Sequence, residues 1–310
     1  MAFGGLIAFG IGHMDGIGGY LAWRWIFIIE GIFTVVIALG VIVLMPNWPD
    51  KAKHLNDEER RVLLNKLSRD QKEYVEEKTS WAVIWDCVKD IKLYCSALIY
   101  FGCAVTSSAS AYFFPSILVD LGWTALKAQY MLIPISMAGL VTTVSIGFLS
   151  DHTRHRYGFA VGPLFLVVIG YILLLIPHDQ IQVGVRYFAL YLLTCGVFAA
   201  TTISMTWMNN NIVGAKRRGI SIGIMLGFGN CGSILGSNIF LTRQAPVYRI
   251  GFGVALGATV LAQITATILF VYVWWENKQK ATGKRDHLLT LSNDQQNALA
   301  DKHPNYRYTY

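Results

Sequence analysis

Two clusters of hydroxyls lie inside stretches that are otherwise apolar. One is Thr106, Ser107, Ser108, Ser110 and Tyr112, closed by Phe113, Phe114 and Pro115; the other is Thr201, Thr202, Ser204 and Thr206. A cavity for a small polar anion within a bilayer needs donors without net charge, because a fixed charge at that depth is costly. These hydroxyls and the Asn230 amide are the best supply in the chain, so Ser110, Tyr112, Thr202 and Asn230 are the candidate substrate-binding residues. The competing use of such groups is structural, since a hydroxyl buried in a helix bonds to its own backbone or to a neighbouring helix. Glu30 differs in kind. It sits one turn inside an apolar stretch, where an ionisable group is a candidate carrier of a coupling proton, yet it is also near enough to the surface to pair with Arg24 or reach water.

Between two apolar stretches, the run Ser150-Asp151-His152-Thr153-Arg154-His155-Arg156 sets one carboxylate among cations. By residue type alone this is a basic turn that anchors topology. His152 and His155 stand three apart beside Asp151, but no third strong ligand is near in sequence, so no metal site is expected, and no cofactor. The five cysteines, Cys87, Cys95, Cys103, Cys195 and Cys231, have no CxxC spacing and fall mainly in apolar surroundings, where a thiol acts as a small hydrophobe. HExxH, GxSxG and paired intramembrane carboxylates are all missing, which argues against an enzyme. Asn209-Asn210-Asn211 closes an apolar stretch, where amides can satisfy the free carbonyls of a helix end.

The elements that must position these groups follow from composition. The chain has 310 residues, 54% hydrophobic and 15% charged, with mean hydropathy +0.44, more apolar matter than an aqueous core of this length needs. Lipid takes the surplus. The apolar windows run far beyond the roughly ten alternating residues of a barrel strand, so the spans are helices. The net charge of +7 would suggest nucleic acid in a soluble protein, but the cations cluster between apolar windows and read as a topology signal instead, with no nucleic-acid partner.

The first window, Ala2 to Gly12, is too short for a full span and lacks the cationic start of a signal peptide. A full span runs from Ile26 to Met45, entered through Trp23-Arg24-Trp25 and stopped by Pro46. Residues 46–92 form the long polar segment. In it Asn56 to Glu59 read as a helix start with an N-cap and a Glu three positions on, while Trp81, Ile84, Trp85 and Val88 suit a helix lying in the membrane interface. Six more windows follow, at about 93–119, 128–150, 158–176, 185–206, 219–241 and 250–274. With alternate connections on opposite sides, one side collects every Lys and Arg except Arg24, Lys127, Arg186, Arg243 and Arg249, which puts the 46–92 segment and the tail from 275 in the cytoplasm. Lys278, Lys280, Lys284 and Arg285 are expected to face anionic lipid, and Asp301 to Tyr310 to be a disordered appendix. Gly223 with Gly227, Gly232 with Gly236 and Gly253 with Gly257 are spaced for close helix packing.

Gly147 to Arg156 resembles the major-facilitator signature, a small residue, an Asp and then basic residues on a turn between two spans. Trp207-Met208-Asn209-Asn210-Asn211 with Lys216-Arg217-Arg218, Gly227-Phe228-Gly229-Asn230 with Gly232 and Gly236, and Trp23 to Gly31 together resemble the fungal anion:cation symporters, which include allantoate-type and nicotinate-type permeases. The resemblance covers nearly the whole chain, from the end of that family's fifth span through its twelfth. It implies that Asp151, Arg154 and Arg156 act as a cytoplasmic latch between inward-facing and outward-facing states, and that Asn210 takes part in gating.

The expected protein is therefore all-α, a polytopic membrane helix bundle of major-facilitator type, N-terminally truncated but with a complete C-terminal six-helix half. Residues 1–45 would be a remnant of the N-terminal bundle, 46–92 a cytoplasmic amphipathic linker, 93–274 the six-helix bundle and 275–310 a cytoplasmic tail. The resemblance implies a plasma-membrane symporter that moves a small organic anion, a vitamin acid or ureide such as nicotinate or allantoate, together with a proton. Two alternatives stay open: a start assigned inside a longer coding sequence, since Met1 falls within an apolar segment, or a half that has lost transport and serves as a nutrient sensor or subunit.

Overall fold

The structure is a computed structural model that describes residues 10–11, 14–45, 55–71, 81–177, 180–240, 242–244, 247–290 and 299–310. Most of the short first window and parts of the 46–92 segment lie outside the described residues. All regular structure among the described residues is helical, and the chain divides into two compact units, 3–76 and 77–310 with the first two residues.

In the smaller unit, α1 (Ala22–Leu44) begins four residues before the expected span, so the Trp-Arg-Trp cluster occupies its first turn. The Asp15 carboxylate accepts the Ala22 N–H at 2.7 Å, satisfying one of the donors that a helix start leaves open. Helix α2 (Asp57–Gln71) carries the expected reciprocal cap: Asn56 N–H donates to Glu59 Oε2 at 3.0 Å, and Asp57 N–H donates to Asn56 Oδ1 at 2.8 Å.

The larger unit holds α3 (Trp81–Val88), α4 (Ile91–Asp120), α5 (Ala125–Thr153), α6 (Arg156–Leu175), α7 (Val183–Asn210), α8 (Ala215–Asn238) and α9 (Arg249–Ala281). With α1, seven helices among the described residues are long and apolar enough to cross a membrane, at the places that the windows indicate. Short α3 exposes Trp81 and Trp85 and buries Val83 and Cys87 on the side it packs against α8. Helix α4 is central, packed against α5, α7, α8 and α9, while α7 joins it to α5 and α6.

Small residues set these approaches. A Cβ at Gly232 or Gly236 would run into the α4 carbonyl oxygens of Phe101 and Val105, and one at Gly102 would meet Ala258 O of α9 at 2.5 Å. The other two spaced pairs, Gly223 with Gly227 and Gly253 with Gly257, have nothing within 4 Å of that position, so of the three pairs one makes a close approach, alongside single glycines such as Gly102 and Gly196. Leu118, Ile135, Leu164, Val167, Leu190 and Val197 fill the interior between α4, α5, α6 and α7. Between α4 and α9, Thr106 Oγ1 and Thr259 Oγ1 share a hydrogen bond at 3.4 Å.

Several helices outrun the hydrocarbon, α4 and α9 by the most. At about 1.5 Å per residue, α4 and α9 reach roughly 45–50 Å, against about 30 Å for the apolar layer. The polar last turns of α9 therefore project beyond its apolar part, and they supply a docking surface. Residues 299–310 fold back onto it, correcting the expectation of a disordered appendix. The physical reason is a set of buried cations and open helix-end groups to which this segment supplies partners.

Candidate functional site

The candidate substrate-binding residues fall in two classes. Tyr112 on α4, Thr202 on α7 and Asn230 on α8 are exposed, whereas Ser110 is buried and donates to Thr106 O at 2.8 Å. Thr202 Oγ1 also donates within its helix, to Phe198 O at 3.0 Å, and keeps its lone pairs free to accept. Thr201, Ser204 and Thr206 are bonded in the same i−4 manner. Glu30, in the smaller unit, is exposed on α1, and its carbonyl accepts from Thr34 Oγ1 at 2.7 Å.

The latch candidates mostly converge. Arg156, buried at the start of α6, reaches Asp151 Oδ1 at 2.7 Å through Nη2 and Ser150 Oγ at 2.9 Å through Nη1. With its amide oxygen turned toward the guanidinium, Asn210 at the end of α7 accepts from both Nη2 and Nε at 3.2 Å. One guanidinium thus ties the ends of α5, α6 and α7 together through charge-assisted bonds. Arg154 is placed elsewhere: it takes the left-handed C-cap of α5 at φ 57° and lines a neighbouring cavity. His152 and His155 are both exposed, and among the described residues no group of three His, Cys, Asp or Glu is arranged to hold a metal.

Against this turn lies the docked tail. Asn211, the residue after α7, accepts the Thr309 N–H at 2.8 Å and donates to Thr309 O at 2.9 Å. From α9, Asn277 treats Tyr308 the same way, with both bonds at 2.9 Å. Adjacent residues of an extended chain point their N–H and C=O groups to opposite sides, so two amides from two helices grip consecutive residues. Trp207 Nε1 adds a bond to Thr309 O at 2.8 Å, Tyr306 OH donates to the helix-end carbonyl of Asn210 at 2.6 Å, and Tyr310 O accepts the first N–H of α6, from Arg156, at 3.0 Å.

Charge completes the docking. Lys92, buried at the start of α4, pairs with buried Asp301, lies 3.3 Å from Asp90 and donates to Asn211 O at 3.2 Å. Lys280 of α9 donates to Asp301 O at 2.7 Å, and the two ammonium groups sit 4.4 and 4.2 Å from the ring centre of Tyr308. Tyr308 OH donates to Asp301 Oδ2 at 2.9 Å. Burial works against ionised Asp301, but the charge and hydrogen bond of Lys92, with the Tyr308 hydroxyl, outweigh it and hold the carboxyl below its ordinary value. Burial and the Asp301 charge push the Tyr308 phenol upward, so it stays a neutral donor.

Lys280 and Arg285, expected to face lipid, are therefore engaged within the protein, Arg285 through a two-pronged pair with Glu276 at 2.9 and 3.0 Å. Sequence reasoning missed Lys92, Asn277, Asp301 and Tyr308, and gave Asn211 a helix-end role without the tail it holds. One available signal was Tyr306-Arg307-Tyr308-Thr309-Tyr310, whose strict alternation marks an extended segment with one aromatic face.

A bundle of membrane-length helices packed on small residues, with a basic turn gathered at one end, is the architecture of a polytopic membrane protein. The chain belongs to the Major Facilitator Superfamily, whose profile matches residues 1–237. It is similar to the MFS-type transporter cnsO of Penicillium expansum, 35% identical over 290 residues that cover 90% of this chain and 56% of that protein. It is also similar to the high-affinity nicotinic acid transporter of Saccharomyces cerevisiae, 28% identical over 311 residues, covering 100% of this chain and 57% of the relative. A third relative is the major facilitator-type transporter hxnP of Emericella nidulans, at 27% identity with 99% and 62% covered. The chain thus spans somewhat over half the length of the curated relatives it matches.

Proposed function

We propose that this chain is the greater part of a secondary transporter that carries a small organic anion, nicotinate or a ureide such as allantoate, in symport with a proton across the plasma membrane, with the linker and tail in the cytoplasm. The observation that carries the reading is the similarity, along the whole chain, to a nicotinic acid transporter. The exposed Tyr112 hydroxyl and Asn230 amide are neutral donors for a carboxylate without a fixed countercharge, Thr202 joins them when its hydroxyl proton turns away from Phe198 O, and Ser110, bonded to Thr106 O, belongs to the same polar stretch of α4 as Tyr112. Protonation at Glu30 neutralises the anion's charge in transit and draws on the proton gradient. Arg156, holding Asp151 and Asn210, keeps the ends of three helices together as one half moves against the other, with Arg154 on the same turn.

The test is uptake of radiolabelled nicotinate and allantoate by yeast cells that lack their own carriers and express this chain. Saturable uptake that rises as external pH is lowered and collapses with a protonophore is the expected result. Saturable uptake indifferent to the protonophore would remove the proton coupling, and no saturable uptake of either anion from correctly localised protein would remove the transport reading for this chain.

A further inference from the structure

We propose that the end of the larger unit holds a site for a phosphoryl anion, borne either by a membrane phospholipid headgroup or by a soluble phosphate ester. A cavity of about 610 Å³ lies between the α5–α6 turn, the last turns of α9 and the docked tail. Arg154 and His155 line it from the turn, Lys278 from α9 and Arg307 from the tail, and no Asp or Glu is among the described residues that line it. The acids on the surrounding elements are engaged elsewhere: Asp151 with Arg156, Glu276 with Arg285, and Asp301 with Lys92. Cations from three separate elements thus face one space with no Asp or Glu side chain among its described lining residues.

The placement of Arg154 is not explained by its helix alone. A left-handed C-cap favours Gly or Asn, and a long cation there accepts backbone strain in order to stand at the cavity. Arg307 is fixed at the opposite rim by its Nη1 bond to Pro304 O at 2.6 Å. A phosphate monoester offers three acceptor oxygens and close to two negative charges, which suits cations arriving from several directions better than a planar carboxylate does.

The position along α9 favours lipid as the source. Trp274 and Trp275 are both exposed at the end of its apolar part, the level at which indole rings meet headgroups, and Lys278 lies 5.2 Å from the Trp274 ring centre. Acyl chains could descend along the apolar face of α9 while the phosphate stays among the cations. This inference rests on membrane embedding and not on the transported substrate.

The experiment is native mass spectrometry of the full chain in a neutral detergent, with phosphatidylinositol 4-phosphate and phosphatidylcholine as probes. One copy of the phosphorylated lipid is expected to stay bound under activation that strips phosphatidylcholine. Lys278→Ala/Arg307→Ala and, separately, Arg154→Ala, which leaves the tail contacts alone, are each expected to weaken retention about tenfold, the scale of losing charge-assisted bonds. The exposed pair Lys284→Ala/Lys302→Ala, equal in charge change but outside the cavity, should bind as the parent does. Soluble inositol 1,4-bisphosphate that displaces the lipid at similar concentration assigns the site to free phosphate esters; failure to displace it assigns the site to the headgroup. Retention no better than phosphatidylcholine, an unaffected Arg154→Ala chain, or an equal loss in the control pair overturns the proposal.

Discussion

Asn211 and Asn277 show what single residues contribute here. Each side chain bonds both backbone groups of one tail residue; alanine at 277 leaves both groups of Tyr308 without that partner, at a cost of about 1–3 kcal/mol, whereas in Asn211→Ala the Thr309 carbonyl keeps its bond from Trp207 Nε1. In Asn277→Ala, hydrogen exchange over 299–310 is expected to rise about tenfold or more, with α5 unchanged, as mass spectrometry of peptides would register. Asp301 sets the pH limits of the same docking. Its folded carboxyl lies below the ordinary aspartate value of 3.8, so its contribution is present above that value and is lost as pH falls through the folded pKa. Tyr308 has the opposite sign: its phenol is raised above 10.0, so docking weakens as pH rises past the ordinary tyrosine range. Proteolysis of the tail across pH should show a plateau above the Asp301 limb that extends up to the titration of Lys280, whose ammonium pKa burial lowers to about 8. Asp301→Asn should lower that plateau by about 3 kcal/mol, because buried Lys92 loses its main counterion, and should remove the acid limb.

At the scale of elements, the contact of α8 with α4 depends on the glycine edge at 232 and 236. Gly232→Val would drive a branched side chain into the Phe101 carbonyl, and the unit is expected to lose about 2 kcal/mol or more, seen as a lower midpoint of thermal unfolding in detergent. Gly227→Ala, on open space five residues earlier, should be neutral or gain up to about 1 kcal/mol from helix propensity. The sequence spaces these two glycine pairs alike, and which pair meets a neighbour depends on how α8 is rotated against α4. The helices themselves were legible, since each needs only a long apolar run, and even the Asn56–Glu59 cap is written locally. Their extra turns were not, because the polar ends of α7 and α9 read as loop until a partner for them is known.

For the whole molecule, Arg156 is the residue through which three helices and the tail meet. Arg156→Lys keeps the charge but loses the fork that reaches Asp151, Ser150 and Asn210 together. If the proposed transport holds, uptake should fall by about an order of magnitude with surface expression retained, while Arg156→Ala should fall further. A Lys variant that transports as well as the parent would limit Arg156 to charge placement.

By itself the sequence determined the membrane-spanning helices and the major-facilitator family, because apolar run length and short local motifs are properties of neighbouring residues. It also marked the Asp151–Arg156 turn and the Asn209–Asn211 helix end as places of interest. Only the tertiary structure decided that Arg156 and Asn210 meet, that Arg154 turns to a separate cavity, and that the tail closes on Lys92 and Lys280. Those contacts join residues as far apart as Lys92 and Asp301. Their energy comes from desolvated charges and open helix ends, which no local pattern of residues specifies.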